Sequence, residues 1–451
     1  MFIGRQVLVV GAARSGIAAA EVLLQQGAQV TLTDIAPLEK MPVDDQRALK
    51  HLKLRLVLGS HPLSLLDGVD LIVKNPGIPP GIPLLDAARR QGIEIISELE
   101  LAYLLTEAEV VAVTGTNGKT TTTALIGTLL GYGRRPVAVG GNIGLPLTKI
   151  SQGKSKDWLL AVEASSFQLE DCYQFHPRVA VYTNITPDHL DRHGTMESYI
   201  AAKARLLRNQ TSEDYVVLNL DDPFLSALPT GASRVIGYSL SSARGAHAYI
   251  SEGWFCWEER GAVEPIAPLN ALHLPGVHNQ ANALAAIAAA KVSGVTIQQI
   301  RQGLQDFRGV EHRLEFVAEV GGVLYYNDSK ATNPDSTITA LRSFEDKVIL
   351  LAGGFDKGAD FDALTAQFAN KVKLMVTFGD TGYKLCQQAK AAGFAACKQA
   401  DDLSDAFAIA AENAREGDCV LLSPACASWD AFSSFEERGL LFKELVSKLG
   451  G

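Results

Sequence analysis

Residues 110–123 read VVAVTGTNGKTTTT, and that order of residue types leaves few folds open. A β-branched apolar run suits a buried strand ending at Thr114. Gly115–Gly118 suits a tight loop, and a helix is predicted from near Lys119. Strand, glycine loop and helix in succession form the building block of a parallel α/β sheet. The first N–H groups of such a helix lack partners within it and carry partial positive charge. Gly115, Thr116, Asn117, Gly118, Lys119, Thr120 and Thr121 are therefore read as a cradle for nucleotide phosphates. Lys119 adds a full charge, and the Thr120 hydroxyl suits Mg²⁺. The loop departs from the commoner phosphate-loop pattern, because Val113 stands where that pattern has its first glycine. A bare glycine turn is the plainer alternative, but Gly-Lys-Thr directly after a strand favours phosphate binding.

A chain of 451 residues exceeds one ordinary core and suggests about three domains. Hydrophobic content of 47% and charged content of 20% fit a soluble globular protein. The net charge of −9 argues against sequence-independent nucleic-acid binding and against an anionic membrane as partner. It leaves room for an anionic small molecule in a locally basic pocket. Cys172, Cys256, Cys386, Cys397, Cys419 and Cys426 show no metal spacing and no CxxC, so all six are predicted to be reduced thiols of a cytoplasmic protein. Arg14 and Glu21 interrupt the apolar N-terminus, which fits strand–glycine–helix better than a signal peptide. The Ala-rich stretch 281–290 is too short to span a bilayer and ends at Lys291.

The first segment opens with a strand at Val7–Val10, then GAARSG, a helix, and a second strand at 29–33 followed by Asp34. This is the opening of a dinucleotide-binding βαβ unit, except that Ala13 replaces the glycine that lets backbone approach a pyrophosphate. Asp34 meets either a ribose or base, or only solvent. A further strand, 69–74, leads into Asn75-Pro-Gly-Ile-Pro-Pro-Gly, a turn cluster that closes either a ligand crevice or a plain loop. In the middle segment, strands are predicted at 137–139, 158–163, 179–184 and 215–219, alternating with helices as in a doubly wound parallel sheet. Residues 222–261 are read as turn-rich edge decoration, and 279–292 as a smooth Ala-rich helix. The last segment places strands at 348–352, 374–378 and 419–423 in a third α/β domain.

Four clusters lie near strand ends. Glu163 either completes Mg²⁺ coordination or charges a helix start. TNITPDHLDRHG sets Asp188, His189, Asp191 and His193 after a strand, as metal ligands or helix caps. Lys203 sits in an apolar helix, and a surface lysine is its default reading. GGNIG brings Asn142 to the end of a strand, beside a substrate.

Taken in order, GTNGKT, the Glu163 segment, NITPDHLDRHG, AAKARL, GVHNQANALAA, EHRLE, NDSKATNPDS and LSPACASWDAFSSFEERG resemble the Mur ligase family of ATP-dependent amide-forming enzymes over essentially the whole chain. EASSFQLE, the compact N-terminal segment, GGFDKGADF and the C-terminal LSPACAS pattern are similar to its D-glutamate-adding branch. The resemblance implies three domains. These are a Rossmann-like N-terminal domain for the UDP-substrate (1–97), a central P-loop ATPase-type doubly wound sheet for ATP (98–309), and a Rossmann-like C-terminal α/β domain that binds the amino acid and closes on ATP (310–451). It implies ligation of D-glutamate to UDP-N-acetylmuramoyl-L-alanine through an acyl phosphate, in the cytoplasm, by a monomer using ATP and two Mg²⁺ ions. Lys119, His189 and Lys203 are then catalytic. Thr120 and Glu163 resemble one magnesium site, and His189 with a carbamylated Lys203 the other. Asn279, Arg313 and Asp328 resemble further ATP contacts. Ser15 and Asp34 resemble uridine contacts, Asn142 a contact to the acyl substrate, and Lys330, Thr332, Lys357, Ser428 and Phe435 the residues that bind D-glutamate or close over it. By residue type alone Lys357 is a turn lysine, Ser428 a cap, Phe435 a core aromatic, and Arg313 with Asp328 a weak surface pair. A sister ligase with another amino acid, or a folylpolyglutamate synthetase, is the nearest alternative. A nicotinamide-dependent oxidoreductase is disfavoured by Ala13.

Overall fold

A computed structural model describes residues 2–241, 245–356 and 358–449, with the backbone alone of Val43 and Asp191. The chain divides into two compact units. One comprises residues 1–269 with 281–304, the other 270–280 with 305–451.

The first unit holds two sheets. β1 (Gln6–Val10), β2 (Gln29–Asp34), β3 (Arg55–Leu58), β4 (Leu71–Lys74) and β5 (Glu94–Ser97) form an all-parallel sheet in the order β3-β2-β1-β4-β5. Its continuous apolar strands are explained by helices on both faces. Along β1, Val7 and Val9 enter one core, and Leu8 and Val10 the other. The strand order reverses between β1 and β4, where ligands of such sheets bind at the carboxyl ends. Gly11 (φ +102°) follows β1 there, and a β-carbon on it would press on Asn75 and Ile78 of the loop after β4. Gly16, in the first turn of helix Arg14–Gln25, lies so close to the Gly11 carbonyl that no side chain fits.

The second sheet contains β6 (Glu109–Thr114), β7 (Val137–Gly141), β8 (Leu159–Glu163), β9 (Val179–Tyr182), β10 (Tyr215–Asn219), β11 (Arg234–Ser239), β12 (Ala246–Ser251), β13 (Trp254–Glu259) and β14 (Ala262–Pro268). The order is β14-β13-β12-β11-β10-β9-β6-β8-β7, parallel from β7 through β12 and antiparallel across β12, β13 and β14. The edge decoration expected over 222–261 is thus a continuation of the sheet. Its strands are separated by turns at Gly245, Gly253 and Gly261, all with positive φ, and the turn residues masked the strand pattern. Helix Lys119–Gly131 packs against β7 and β8, and Leu125, Ile126, Leu129 and Leu130 are buried.

The second unit has β15 (Glu315–Val320), β16 (Val323–Asn327), β17 (Val348–Gly353), β18 (Val372–Phe378), β19 (Cys397–Gln399) and β20 (Cys419–Leu422), ordered β15-β16-β20-β17-β18-β19. Only β15 runs antiparallel to its neighbour. Alternation along β17 again serves two cores: Val348, Leu350 and Ala352 face one, Ile349 and Leu351 the other. One expectation fails here. Cys386 on helix Gly382–Ala391 and Cys397 in β19 are joined as a disulfide, while Cys172, Cys256, Cys419 and Cys426 are free and buried. The helix–strand return brings the Cα atoms of the pair to 6.1 Å, a spacing that sequence separation does not reveal. Among the described residues, no helix is long and apolar enough to cross a membrane.

In the first unit, helix Glu98–Leu104 leads from one sheet to the other, capped by Ser97, whose hydroxyl accepts from the Glu100 N–H. Glu98 is fully buried, and its Oε1 accepts from the Thr148 N–H (2.6 Å) and hydroxyl (2.7 Å). Burial nevertheless pushes this carboxyl up to about 7, against the lowering effect of both bonds. A carboxyl raised on folding stabilises the protein below its unfolded value, and that stability is lost as pH rises to the folded value. Glu98→Gln is therefore expected to flatten the decline in stability between pH 4.5 and about 7 and to raise resistance to unfolding at pH 8. Thermal denaturation across that range checks this, and parallel profiles for the two proteins would assign the slope elsewhere.

Candidate active site

The loop between β6 and helix Lys119–Gly131 is braced from several sides. The Thr116 N–H donates to the Asn184 carbonyl (2.8 Å), and the Asn117 N–H to Asn184 Oδ1 (2.9 Å). In return the Asn117 carbonyl accepts from Thr183 Oγ1 (2.6 Å) and Asn184 Nδ2 (3.1 Å). The hydroxyl of Thr116 lies between the Thr186 carbonyl and Tyr199 Oη, both at 3.1 Å. Gly118 caps the helix in the left-handed region (φ +80°), and a β-carbon there would collide with Asn282 Oδ1. The position therefore demands glycine on two counts. The Thr122 N–H is bonded back to the Gly118 carbonyl (2.9 Å). The N–H groups of the preceding turn have no partner within the helix, which is the geometry of an anion site. Lys119 Nζ donates to the Thr116 carbonyl at 2.7 Å, so its charge folds back over the loop.

Glu163 ends β8, adjacent to β6, and is 2% exposed. Its Oε2 accepts from Thr120 Oγ1 (2.9 Å) and its Oε1 from Asn142 Nδ2 (2.8 Å). Asn142, expected beside the acyl substrate, is thus held on this carboxylate by both its side chain and its N–H, which donates to the Glu163 carbonyl. A threonine hydroxyl and a carboxylate are hard oxygen donors of the kind Mg²⁺ takes, with phosphate oxygens of a substrate to complete the shell. Among the described residues, no group of three or more His, Cys, Asp or Glu side chains is placed to hold a metal.

Lys203 is not a surface lysine. It is 2% exposed on helix Met196–Ala204, donates from Nζ to the Gly115 carbonyl (2.7 Å), and lies 4.4 Å over the Tyr199 ring. Burial, and after it the charge of Lys119, pulls its ammonium down to about 7, against the raising influence of Asp188 and Glu163. His189 adopts φ 52° at the start of helix Leu190–His193, with Nε2 3.5 Å from Asp188 Oδ2 and its ring 4.9 Å from that of Phe167. No bond joins His189 to Lys203, and the side chain of Asp191 lies outside the described residues. Ser15 is half-buried in the first turn of helix Arg14–Gln25. Asp34 accepts from the Ala12 N–H (2.7 Å) and the Ala36 N–H (2.8 Å), so it ties together the loops after β1 and β2.

In the second unit, Asp328 follows β16 and is buried. Its Oδ2 accepts from Ser423 Oγ (2.7 Å) and its Oδ1 from the Leu314 N–H (3.1 Å). Burial raises the carboxyl to about 7, against these bonds and the charge of the exposed Arg313. Asn279 Nδ2 donates to the Pro275 carbonyl (2.7 Å). Lys330 is exposed, 5.8 Å over the Phe435 ring, and Thr332 is half-buried beside it. Ser428 is 2% exposed, and its carbonyl accepts from the Phe432 N–H (2.8 Å), so it closes a turn. Phe435 opens helix Phe435–Leu449. Lys357 lies outside the described residues.

Sequence reasoning passed over Thr183, Asn184, Tyr199 and Asn282, which brace the phosphate loop. It also passed over Arg438, whose guanidinium is fully buried and donates to the Ser329 hydroxyl and carbonyl and to the carbonyls of Cys426 and Ala427. Asn282 had a signal: it is an amide set in the Ala-rich helix Val277–Val292, three residues beyond Asn279, and both are buried.

Comparison with known proteins finds three family matches along the chain. Residues 5–97 match the Mur ligase MurD-like N-terminal domain, 113–290 the Mur ligase middle domain, and 312–426 the Mur ligase glutamate ligase domain. The chain is 46% identical over 449 residues to the UDP-N-acetylmuramoylalanine–D-glutamate ligase of Pelotomaculum thermopropionicum, covering 99% of this chain and 98% of that one. It is 44% identical, with the same coverage, to the protein of that name from Geobacillus kaustophilus. Its fold is shared with the UDP-N-acetylmuramate-alanine ligase of Thermotoga maritima, at a TM-score of 0.59 and 20% identity over 98% of this chain and 99% of that one. With all three domain types matched in order and nearly its whole length aligned, this chain is a member of the Mur ligase family.

Proposed function

We propose that this protein ligates D-glutamate to UDP-N-acetylmuramoyl-L-alanine, with ATP converted to ADP and phosphate, as a cytoplasmic step of peptidoglycan precursor synthesis. The observation that carries this reading is the Lys119 helix start set beside the Glu163 carboxylate with Thr120 between them. The names of relatives 41–46% identical over nearly the full chain support the substrate pair. Residues 1–97 are assigned to the UDP-sugar, with Ser15 and Asp34 at the uridine. Residues 98–309 are assigned to ATP, and 310–451 to the amino acid, through Lys330, Thr332, Ser428 and Phe435. Asn279, Arg313 and Asp328 are assigned as further ATP contacts. We assign the reaction to a monomer.

A carboxylate resists attack by an amine because oxide is a poor leaving group. Transfer of the ATP γ-phosphoryl group to the L-alanyl carboxylate gives an acyl phosphate. The D-glutamate amine then attacks its carbonyl, and phosphate leaves. The first step brings two anions together. The amides of the Gly118–Thr121 turn and the Lys119 ammonium hold the triphosphate and offset that repulsion. Thr120 with Glu163 would hold one Mg²⁺, and His189 with a carbamylated Lys203 the second. Bound Mg²⁺ adds positive charge where phosphoryl transfer develops negative charge. Asn142, fixed on Glu163, orients that carboxylate.

A carbamate on Lys203 needs a deprotonated amine, and an ammonium beside a cation would oppose metal binding. The near-complete burial of this lysine next to the Lys119 charge favours the neutral amine. Incubation with ¹³C-bicarbonate should label one carbamate per chain, and Lys203→Met should remove the signal. An unlabelled lysine in an active preparation would overturn the assignment. Lys119→Ala is expected to lower kcat by ~100-fold or more with the fold intact, as for the loss of one charge-stabilising contact. Phosphate release measured over a panel of UDP-sugar and amino-acid pairs tests the substrate assignment. Turnover confined to UDP-N-acetylmuramoyl-L-alanine with D-glutamate is the expected result.

A further inference from the structure

The loop after β4 forms one wall of the crevice at the β1–β4 strand reversal, where its Asn75 and Ile78 pack on Gly11. That wall is held from the other sheet of the same unit. Arg192 on helix Leu190–His193, three residues beyond His189, donates from Nη1 to the Pro76 carbonyl (2.8 Å) and from Nη2 to the Ile78 carbonyl (3.3 Å). Its guanidinium lies 3.8 Å over the Phe167 ring and 3.5 Å from Glu170 Oε2. Glu170 also faces His193 Nδ1 (3.3 Å) and Lys74 Nζ (3.9 Å), and Lys74, fully buried at the end of β4, pairs with Asp171 at 2.6 Å. The His193 ring is bonded through Nε2 to Ser166 Oγ (2.9 Å) and lies 5.1 Å from the ring of Tyr199, whose hydroxyl meets Thr116 of the phosphate loop. Two cations, Lys74 and Arg192, thus balance two carboxylates, Glu170 and Asp171. The same cluster touches both the crevice wall and the helix that carries His189.

We propose that Arg192 is a positioning residue. By forking onto the Pro76 and Ile78 carbonyls it sets the wall of the UDP-sugar crevice in register with the His189 helix, so that the acyl end of the sugar nucleotide is presented to the phosphoryl-transfer site. A guanidinium suits this task because one planar group reaches two carbonyls while stacked on an aromatic ring. An ammonium can replace the charge beside Glu170 but not the fork. The arrangement rests on the ligase reading for its functional consequence, though not for its geometry.

The test uses the full chain carrying Arg192→Ala or Arg192→Lys. Hydrogen exchange reports the geometry without any substrate. The amides of Gly77 and Ile78, which are bonded to Asn75, should exchange faster in both variants, while those of Thr116 and Asn117 keep wild-type protection. In turnover assays, KM for UDP-N-acetylmuramoyl-L-alanine should rise by about tenfold in both variants, as expected for lost bonds from a charged donor. KM for ATP and for D-glutamate should stay within about twofold. Guanidinium ion at millimolar concentration should partly restore the UDP-sugar KM of Arg192→Ala by entering the pocket over Phe167. Unchanged exchange at 77–78 would overturn the clamp. An equal rise of all three KM values with a lowered melting temperature would also overturn it, because that marks general destabilisation. Wild-type protein that turns over no substrate pair would sink the ligase reading instead, and the exchange result would still decide the clamp.

Discussion

The phosphate loop can offer its helix amides to a ligand only because other groups hold the rest of its backbone. Thr183 and Asn184, immediately after β9, occupy the N–H groups of Thr116 and Asn117 and the carbonyl of Asn117. Lys203 occupies the carbonyl of Gly115, and Asn282 fills the space beside Gly118. What remains without an intrahelical partner is the first turn of the helix, the part with the right charge and direction for a phosphate. Preorganised donors of this kind stabilise developing charge without reorganising during the reaction. The strand ends of β6, β8 and β9 lie side by side in the sheet, so the loop, Glu163 and the Thr183–Asn184 brace arrive together by topology alone.

The molecule handles its buried charges in three ways. Lys74 and Arg192 face carboxylates, so removing either partner would strand an ion in a dry place. Arg438 faces carbonyls and a hydroxyl, which spreads its charge over the loops at Ser329 and Cys426–Ala427 and ties both to helix Phe435–Leu449. Lys203 and Asp328 have few partners for their depth, and their proton affinities shift toward neutrality accordingly.

Much of this was legible in the chain. The β6–loop–helix unit, the parallel sheets and the strand-end position of Glu163 follow from β-branched runs, glycine spacing and strand–helix alternation. Other features were hidden for identifiable reasons. β11 to β14 are short strands broken by turns, so their pattern resembles loop. β15 and β16 carry mixed polar residues because β15 is an edge strand. Tyr199, Asn282 and Arg438 look like ordinary helix residues until the fold turns them inward. Asn142 is legible as a residue at a strand end, but its bond to Glu163 joins two strand ends that only the fold brings together. The Cys386–Cys397 pairing depended on a helix–strand return that spacing does not encode.

The nine-stranded sheet ends at β14, whose residues 262–268 include Pro265 and Pro268 and the exposed Glu264. A proline has no N–H to offer a newcomer, and covering the charge beside it with an apolar strand would cost its hydration. A long, twisted sheet of this kind would otherwise present an open zipper to any extended chain that met it. The imino acids interrupt that zipper at the β14 edge.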